Sequence, residues 1–353
     1  MRLKELLVVI PHSGIIVPEE IDPDSLSEDL PYMMRNLDWY TDYLYDLRDI
    51  LENKQVTFPY CSLLLEANRH PDIIEDCVPL TDVLGESIYK RRKGPSEALR
   101  KALAEKYLIP FHESITNNIA SGADFLLEAH STITARGVNE NQIELMNFQH
   151  SRLDEGPVHF SPPIFIETYA EELRKRLPEV EVTVNTSQYH KVYGHICAGH
   201  SVNAISRIGK RVPGIVQETN QKLYMKEDGK PDIVAIEKLR RAFAGALYHT
   251  LMKVWKHGWA NKVLDLPSTR QTYDFDCGAK SLQTLLAYYG IDIREDVLMK
   301  ELRISKVDGS SIDSIISFAE GKGFTVEAKE KMTIEDIKQS IDEEHPVLVL
   351  LQA

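Results

Sequence analysis

Two histidines and two glutamates stand where short apolar runs end, and their placement suggests chemistry. The run Phe125-Leu126-Leu127 stops at Glu128 and His130, Leu6–Ile10 ends in Pro11-His12-Ser13-Gly14, and Gly214-Ile215-Val216-Gln217 ends in Glu218. Each run reads as a buried strand. Open α/β sheets carry their chemistry beyond the carboxyl ends of their strands. Two imidazoles and a carboxylate would hold a tetrahedral zinc ion with one position left for water, and a further glutamate would serve as base. Asp124–Thr132 is therefore the expected centre, with the other two strand ends beside it.

The elements that must position these residues alternate between strand and helix. Tyr32–Asn53 has helical spacing and contains Asp38; Ser62–Glu66 is a strand candidate that runs into Ala67-Asn68-Arg69-His70-Pro71, where the proline ends regular structure. Glu97–Asn118 has a helix pattern interrupted near Pro110, with His112 just beyond the interruption. Gln142–Phe148 and Glu181–Asn185 are further strands, separated by a helix over Ile166–Leu177. After Gly229-Lys230-Pro231 a long amphipathic helix carries Ile236, Leu239, Phe243, Leu247, Leu251 and Val254 on one stripe and is expected to stop at Gly258. The fold class is α/β, with a mostly parallel central sheet between helices, followed by a small, incomplete α+β domain. The expected domains are 1–260 and 261–353, joined through Ala260–Ser268.

Composition narrows the function. At 353 residues the chain suits one large and one small domain, and its net charge of −13 makes nucleic acid and anionic membranes poor partners. Leu6–Pro11 is far too short for a signal segment or a spanning helix, so the expected location is cytoplasmic, without membrane insertion. Cys61, Cys77, Cys197 and Cys277 are widely spaced and form no CxxC pair, which argues against a disulfide framework and a thiolate zinc site. Lys90-Arg91-Arg92-Lys93 reads as a solvated loop, with help in binding an acidic substrate as the alternative.

Six motifs in one order resemble the N-formylglutamate amidohydrolases: Pro11-His12-Ser13-Gly14; Leu37-Asp38-Trp39 leading to Leu44-Tyr45-Asp46; Glu66-Ala67-Asn68-Arg69; Pro110-Phe111-His112; Glu128-Ala129-His130-Ser131; and Gln217-Glu218-Thr219-Asn220 before Leu223-Tyr224-Met225. The resemblance covers about Val8–Met225. It implies a zinc-dependent hydrolase fold related to the carboxypeptidase and aspartoacylase group. His12, His130 and Asp38 are then the expected metal ligands, with Glu19 and Glu66 as alternatives for the third, because Ile15 occupies the place where the carboxypeptidase pattern supplies a glutamate. Glu218 is the expected base. Asn68 and Arg69 resemble a substrate-carboxylate clamp, the guanidinium being suited to a two-bond grip, and His112 and His200 match substrate-contact positions. Glu128 is expected to orient a ligand histidine. Glu66 and Glu128 stand where the family usually has aspartate, which bears on pocket size and substrate.

The C-terminal stretch has another signature. Gln271-Thr272-Tyr273-Asp274-Phe275-Asp276-Cys277-Gly278 precedes a helix with Leu282, Leu285, Leu286 and Tyr289 on one face, and resembles the papain-like cysteine peptidase domain of bacteriocin-processing transporters. The resemblance implies that Cys277 opens a helix as nucleophile, with Gln271 in the oxyanion hole. Helices at Ile312–Ala319 and Thr333–Ile341, the latter with a Thr333…Asp336 capping box, and a strand at Pro346–Gln352 fit the same pattern. The family's histidine base would follow that strand, the sequence stops at Ala353, and His345 lies on the wrong side of it. A half-present domain with an exposed edge is expected.

These readings converge on a zinc amidohydrolase, one Zn2+ per chain, acting on an N-formyl or other N-acyl amino acid such as N-formylglutamate, or on a peptide. The alternatives are a cysteine peptidase of the leader-processing type and a non-catalytic peptide-binding protein.

Overall fold

The computed structural model describes residues 1–27, 37–82, 85–133, 139–150, 157–186, 195–197, 212–256, 271–306, 309–343 and 345–350, with 264, 266, 267 and 269. His200 and Gly258 lie outside these residues. The chain divides into two compact units, Met1–Ala260 and Asn261–Ala353.

The first unit is built on a six-stranded sheet. Its strands are β1 (Leu6–Ile10), β2 (Lys54–Thr57), β3 (Phe125–Thr132), β4 (Gln142–Met146), β7 (Glu181–Val184) and β8 (Gly214–Asn220), in the order β2-β1-β3-β8-β4-β7; β5 (Phe148–His150) and β6 (Pro157–His159) form a separate antiparallel pair. β2, β1, β3 and β8 are parallel, whereas β4 and β7 run together in the opposite direction. The α/β reading with a mostly parallel sheet holds. All residues of β1, β3 and β8 are buried, which is why they read as apolar runs up to their polar ends.

A hydrophobic layer covers each face. Leu7, Val9, Leu126 and Val216 pack on one side with Leu103, Leu108, Phe111 and Ile115 of the segment Glu97–Ala120. On the other side, Val8, Leu127 and Ile215 meet the helices Pro163–Arg176 and Ile233–Lys256. All six stripe residues of the long helix are buried there, each contributing roughly 1.5–3 kcal/mol.

Three expectations change. Ser62–Glu66 is a turn, with Leu64 and Leu65 N–H both bonded to Cys61 O at 3.0 Å. Adjacent strand residues face opposite ways, but Leu64 and Leu65 enter the same core cluster, which a turn permits and a strand does not. Tyr32–Asn53 is no continuous helix within its described part: Thr41–Leu44 and Arg48–Leu51 are single turns, and Tyr40, with φ of 60°, closes off any extension back to Asp38. Pro346–Leu350 carries no regular secondary structure, and Gln352 lies outside the described residues. The interruption near Pro110 is a π turn, Ala104–Leu108, in which Ile109 N–H reaches back to Ala104 O. Proline lacks an N–H and crowds the carbonyl four residues back, and the wider turn relieves both.

The second unit is helical among its described residues: Cys277–Tyr288, Glu295–Glu301, Ile312–Gly321 and Ile334–Asp342. Ala279, Leu282, Leu286, Leu298 and Leu302 form its small core. The Thr333–Asp336 capping box is present, whereas Ile334, Val349 and Leu350 are exposed.

Candidate active site

The parallel register brings the expected residues together. Val9 pairs with Glu128 and His130 pairs with Glu218, so the ends of β1, β3 and β8 lie side by side. Asp38 arrives from the lead-in to the Thr41 turn. Its segment is tied down by Gln221 Nε2, which donates to Leu37 O at 2.7 Å, and by the Tyr224 hydroxyl, which donates to Trp39 O at 2.8 Å. Asp38 Oδ2 accepts the Ser131 N–H at 3.1 Å. Tyr45 braces the two central strands, its hydroxyl donating to His130 O at 3.0 Å and lying 2.7 Å from Thr219 Oγ1.

Asp38 Oδ2 lies 3.5 Å from His12 Nδ1 and 3.3 Å from His130 Nδ1. The other nitrogen of each ring is held by a carboxylate: His12 Nε2 is 2.6 Å from Glu66 Oε1, and His130 Nε2 is 2.9 Å from Glu128 Oε1. Each carboxylate needs a proton on the nitrogen facing it, so once an imidazolium gives up its other proton the Nδ1 lone pair is the one available to a metal. A tetrahedron with bonds of about 2.0–2.1 Å has edges of about 3.3–3.4 Å, close to the separations seen here. His12, Asp38 and His130 therefore fit a cation. A second group, Glu128, His130 and His195, also lies within ligating distance of one another, with His195 Nδ1 3.0 Å from Glu128 Oε1.

The electrostatics show how tightly the charges are balanced. Burial opposes a charged His12, but Glu66 and Asp38 outweigh it and raise its pKa to about 9. Burial likewise opposes ionisation of Glu66, yet His12 and Arg69 bring that carboxyl down to about 2. For His130, burial lowers the pKa while Asp38 and Glu128 carry it well above the ordinary imidazole value. Glu218 behaves oppositely. Burial dominates and pushes it up to about 8, with His130 opposing and Asp38 adding to the rise. Its Oε2 is buried and has no hydrogen-bond partner among the described residues.

Glu66 occupies His12 Nε2, and Glu19 makes an exposed ion pair with Lys106 at 2.5 Å, so neither joins the cluster. Arg69 is partly buried beside Asn68, its Nη1 donating to Asn68 O at 3.3 Å. His112 is half-buried, and burial brings its pKa down to about 4. Lys90–Lys93 is the exposed loop expected. His195 went unremarked in the sequence because it ends no strand; its only local sign is the Gly194-His195-Ile196-Cys197 order. In the second unit Cys277 opens its helix and is exposed, while Gln271 Nε2 donates to Tyr273 O at 2.5 Å. Asp276 is fully buried and accepts the Tyr273 N–H at 2.9 Å.

Gly14 shows how the loop after β1 reaches this position. A Cβ there would collide with the backbone of Pro59 and Tyr60, against which Ile16 N–H bonds Pro59 O at 3.1 Å. Gly14→Ala should therefore push His12 away from Asp38, destabilising the fold by about 1–3 kcal/mol. Thermal melting with metal-content analysis checks this, the expected outcome being a lower Tm and less bound metal.

The first unit is thus a mostly parallel α/β domain with a buried histidine–carboxylate centre near the carboxyl ends of its strands. The chain belongs to the N-formylglutamate amidohydrolase family, whose model matches residues 4–225. Residues 265–349 match the model of the Peptidase C39 family. No curated protein sequence matches the chain. The fold is similar to that of N-formylglutamate amidohydrolase from Ralstonia eutropha JMP134, with 16% identity, 73% of this chain and 96% of that one covered, and a TM-score of 0.54. A gene product from Agrobacterium tumefaciens aligns at 17% identity over 72% of this chain and 90% of that one, with a TM-score of 0.47. No helix among the described residues is long and apolar enough to cross a membrane.

Proposed function

We propose that the first unit is a zinc-dependent amidohydrolase that cleaves an N-formyl or other N-acyl amino acid, N-formylglutamate being the leading substrate. One observation carries this: Asp38 Oδ2 lies at tetrahedral-edge spacing from a ring nitrogen of both His12 and His130, near Glu218, whose buried Oε2 has no hydrogen-bond partner among the described residues. Zinc bound there would polarise the amide carbonyl and acidify a water to a pKa of about 7. Glu218 takes the proton from the attacking water and delivers it to the leaving nitrogen, so that a C–O bond forms, the C–N bond breaks, and a carboxylate and an amine are released. Its raised pKa, which a neighbouring dication lowers, suits proton exchange near neutrality. Arg69 grips the carboxylate of the amino-acid part. His112, kept neutral by burial, lines the substrate side.

The test is metal removal and return. Chelated protein should lose activity on N-formylglutamate and regain it with about one equivalent of zinc per chain; activity that persists at full rate in metal-free protein would refute the reading. For the second unit, the Peptidase C39 match and the exposed Cys277 at a helix start favour a thiol-dependent, peptide-directed role. Labelling by a thiol-reactive peptide probe, abolished by Cys277→Ser, would support it.

A further inference from the structure

Three consecutive backbone N–H groups, those of His195, Ile196 and Cys197, are taken by three buried side chains from three parts of the fold. His195 N–H donates to Gln149 Oε1 at 3.0 Å, Ile196 N–H to Asn68 Oδ1 at 3.1 Å, and Cys197 N–H to Glu128 Oε2 at 2.7 Å. Because a backbone N–H can only donate, the Asn68 atom facing Ile196 must be its oxygen, which settles the amide orientation chemically. Asn68, Gln149 and Glu128 are 4%, 7% and 0% exposed, so losing any of these bonds strands a buried donor. The segment is thereby held so that His195 shares Glu128 Oε1 with His130.

We propose that Asn68 is a positioning residue of the metal centre rather than part of a substrate-carboxylate clamp. It acts through its Oδ1, which docks His195–Cys197 onto Glu128, and Glu128 then fixes the ring of His130. Arg69 is left as the carboxylate grip. The order of action is Asn68, the docked segment, Glu128, His130. Outer partners of this type change metal affinity by about 10–100-fold without touching the metal.

Cys197 reports docking, since its side chain is fully buried in the docked segment. The measurement uses the full chain in a Cys277→Ser background, which removes the exposed thiol. Maleimide labelling located by peptide mapping reads docking, and zinc affinity from chelator competition reads the centre. Asn68→Ala should speed Cys197 labelling and weaken zinc binding, each by about tenfold or more. Asn68→Asp, which keeps an acceptor oxygen, should return both to within a few-fold of the parent. Unchanged labelling and affinity in Asn68→Ala, with a raised KM for an N-formyl amino acid, would overturn the proposal and make Asn68 a substrate contact. Only the affinity arm rests on the zinc reading. If the parent binds no zinc, that reading fails, and labelling alone decides docking: faster in Asn68→Ala supports it, equal overturns it. Circular dichroism and Cys61 and Cys77 labelling matched to the parent exclude general unfolding as the source of a faster Cys197 reaction.

Discussion

Glu218→Gln should abolish turnover while leaving zinc in place. Glutamine keeps the size and shape of the side chain but cannot take a proton from water, and general-base catalysis of this kind is worth about 10²–10⁴-fold. Glu218 lies across from His130 in the β3–β8 register and is not part of the cluster of His12, Asp38 and His130, so the variant should bind about as much zinc as the parent. A second readout separates lost chemistry from lost structure. Burial makes the charged form of Glu218 costly, so a neutral amide should leave metal-free protein at least as stable at pH 9 as the parent. Steady-state kinetics, metal content and thermal melting together check this. A variant that retains a tenth or more of the parent kcat would remove Glu218 from the proton-transfer role.

The strand ends were legible in the sequence for a physical reason. Strands buried on both faces are written as short apolar runs, so the polar residues that break a run lie near the strand's carboxyl end, and His12, His130 and Glu218 each stand within two residues of such an end. Asp38 is different. It lies on no regular element and reaches the centre because Gln221 and Tyr224 pin its segment from beyond β8, a contact visible only as a family motif in the sequence. Ser62–Glu66 reads as a strand because an apolar triplet carries no periodicity, whereas burying neighbouring leucines in one cluster is a tertiary fact. His195 is illegible in the sequence for the same kind of reason. Its link to Glu128 spans 67 residues and depends on bonds from Gln149 and Asn68 that no local pattern announces. The longer carboxylates at Glu66 and Glu128, which depart from the family pattern, span from their own turn and strand to His12 and His130 respectively.

Protons and zinc should compete at this centre, which makes the stabilisation by zinc depend on pH in a definite direction. In metal-free protein His12 is charged and bonded to both Glu66 and Asp38, with its folded pKa raised from 6.5 to about 9. A raised imidazole pKa contributes stability that is complete below 6.5 and lost as pH climbs through about 9, roughly 3 kcal/mol for this shift. Glu218, raised from 4.5 to about 8, acts in the same sense: its contribution is complete below 4.5 and disappears as pH rises through about 8. Glu66 opposes only at low pH, since its lowered pKa contributes above 4.5 and is lost as pH falls through about 2. Metal-free protein should therefore lose stability between pH 6.5 and 9. Zinc replaces the proton on each Nδ1, so its affinity rises over the same interval. Melting curves at pH 6 and pH 9, with and without zinc, should show a small zinc-induced rise in Tm at the lower pH and a large one at the higher. His130→Ala removes one of the three proposed ligands, and with it one partner each of Asp38 and Glu128, so zinc should produce no shift at either pH. A zinc shift that is independent of pH in the parent, or that survives His130→Ala, would mean that the metal binds somewhere other than His12, Asp38 and His130.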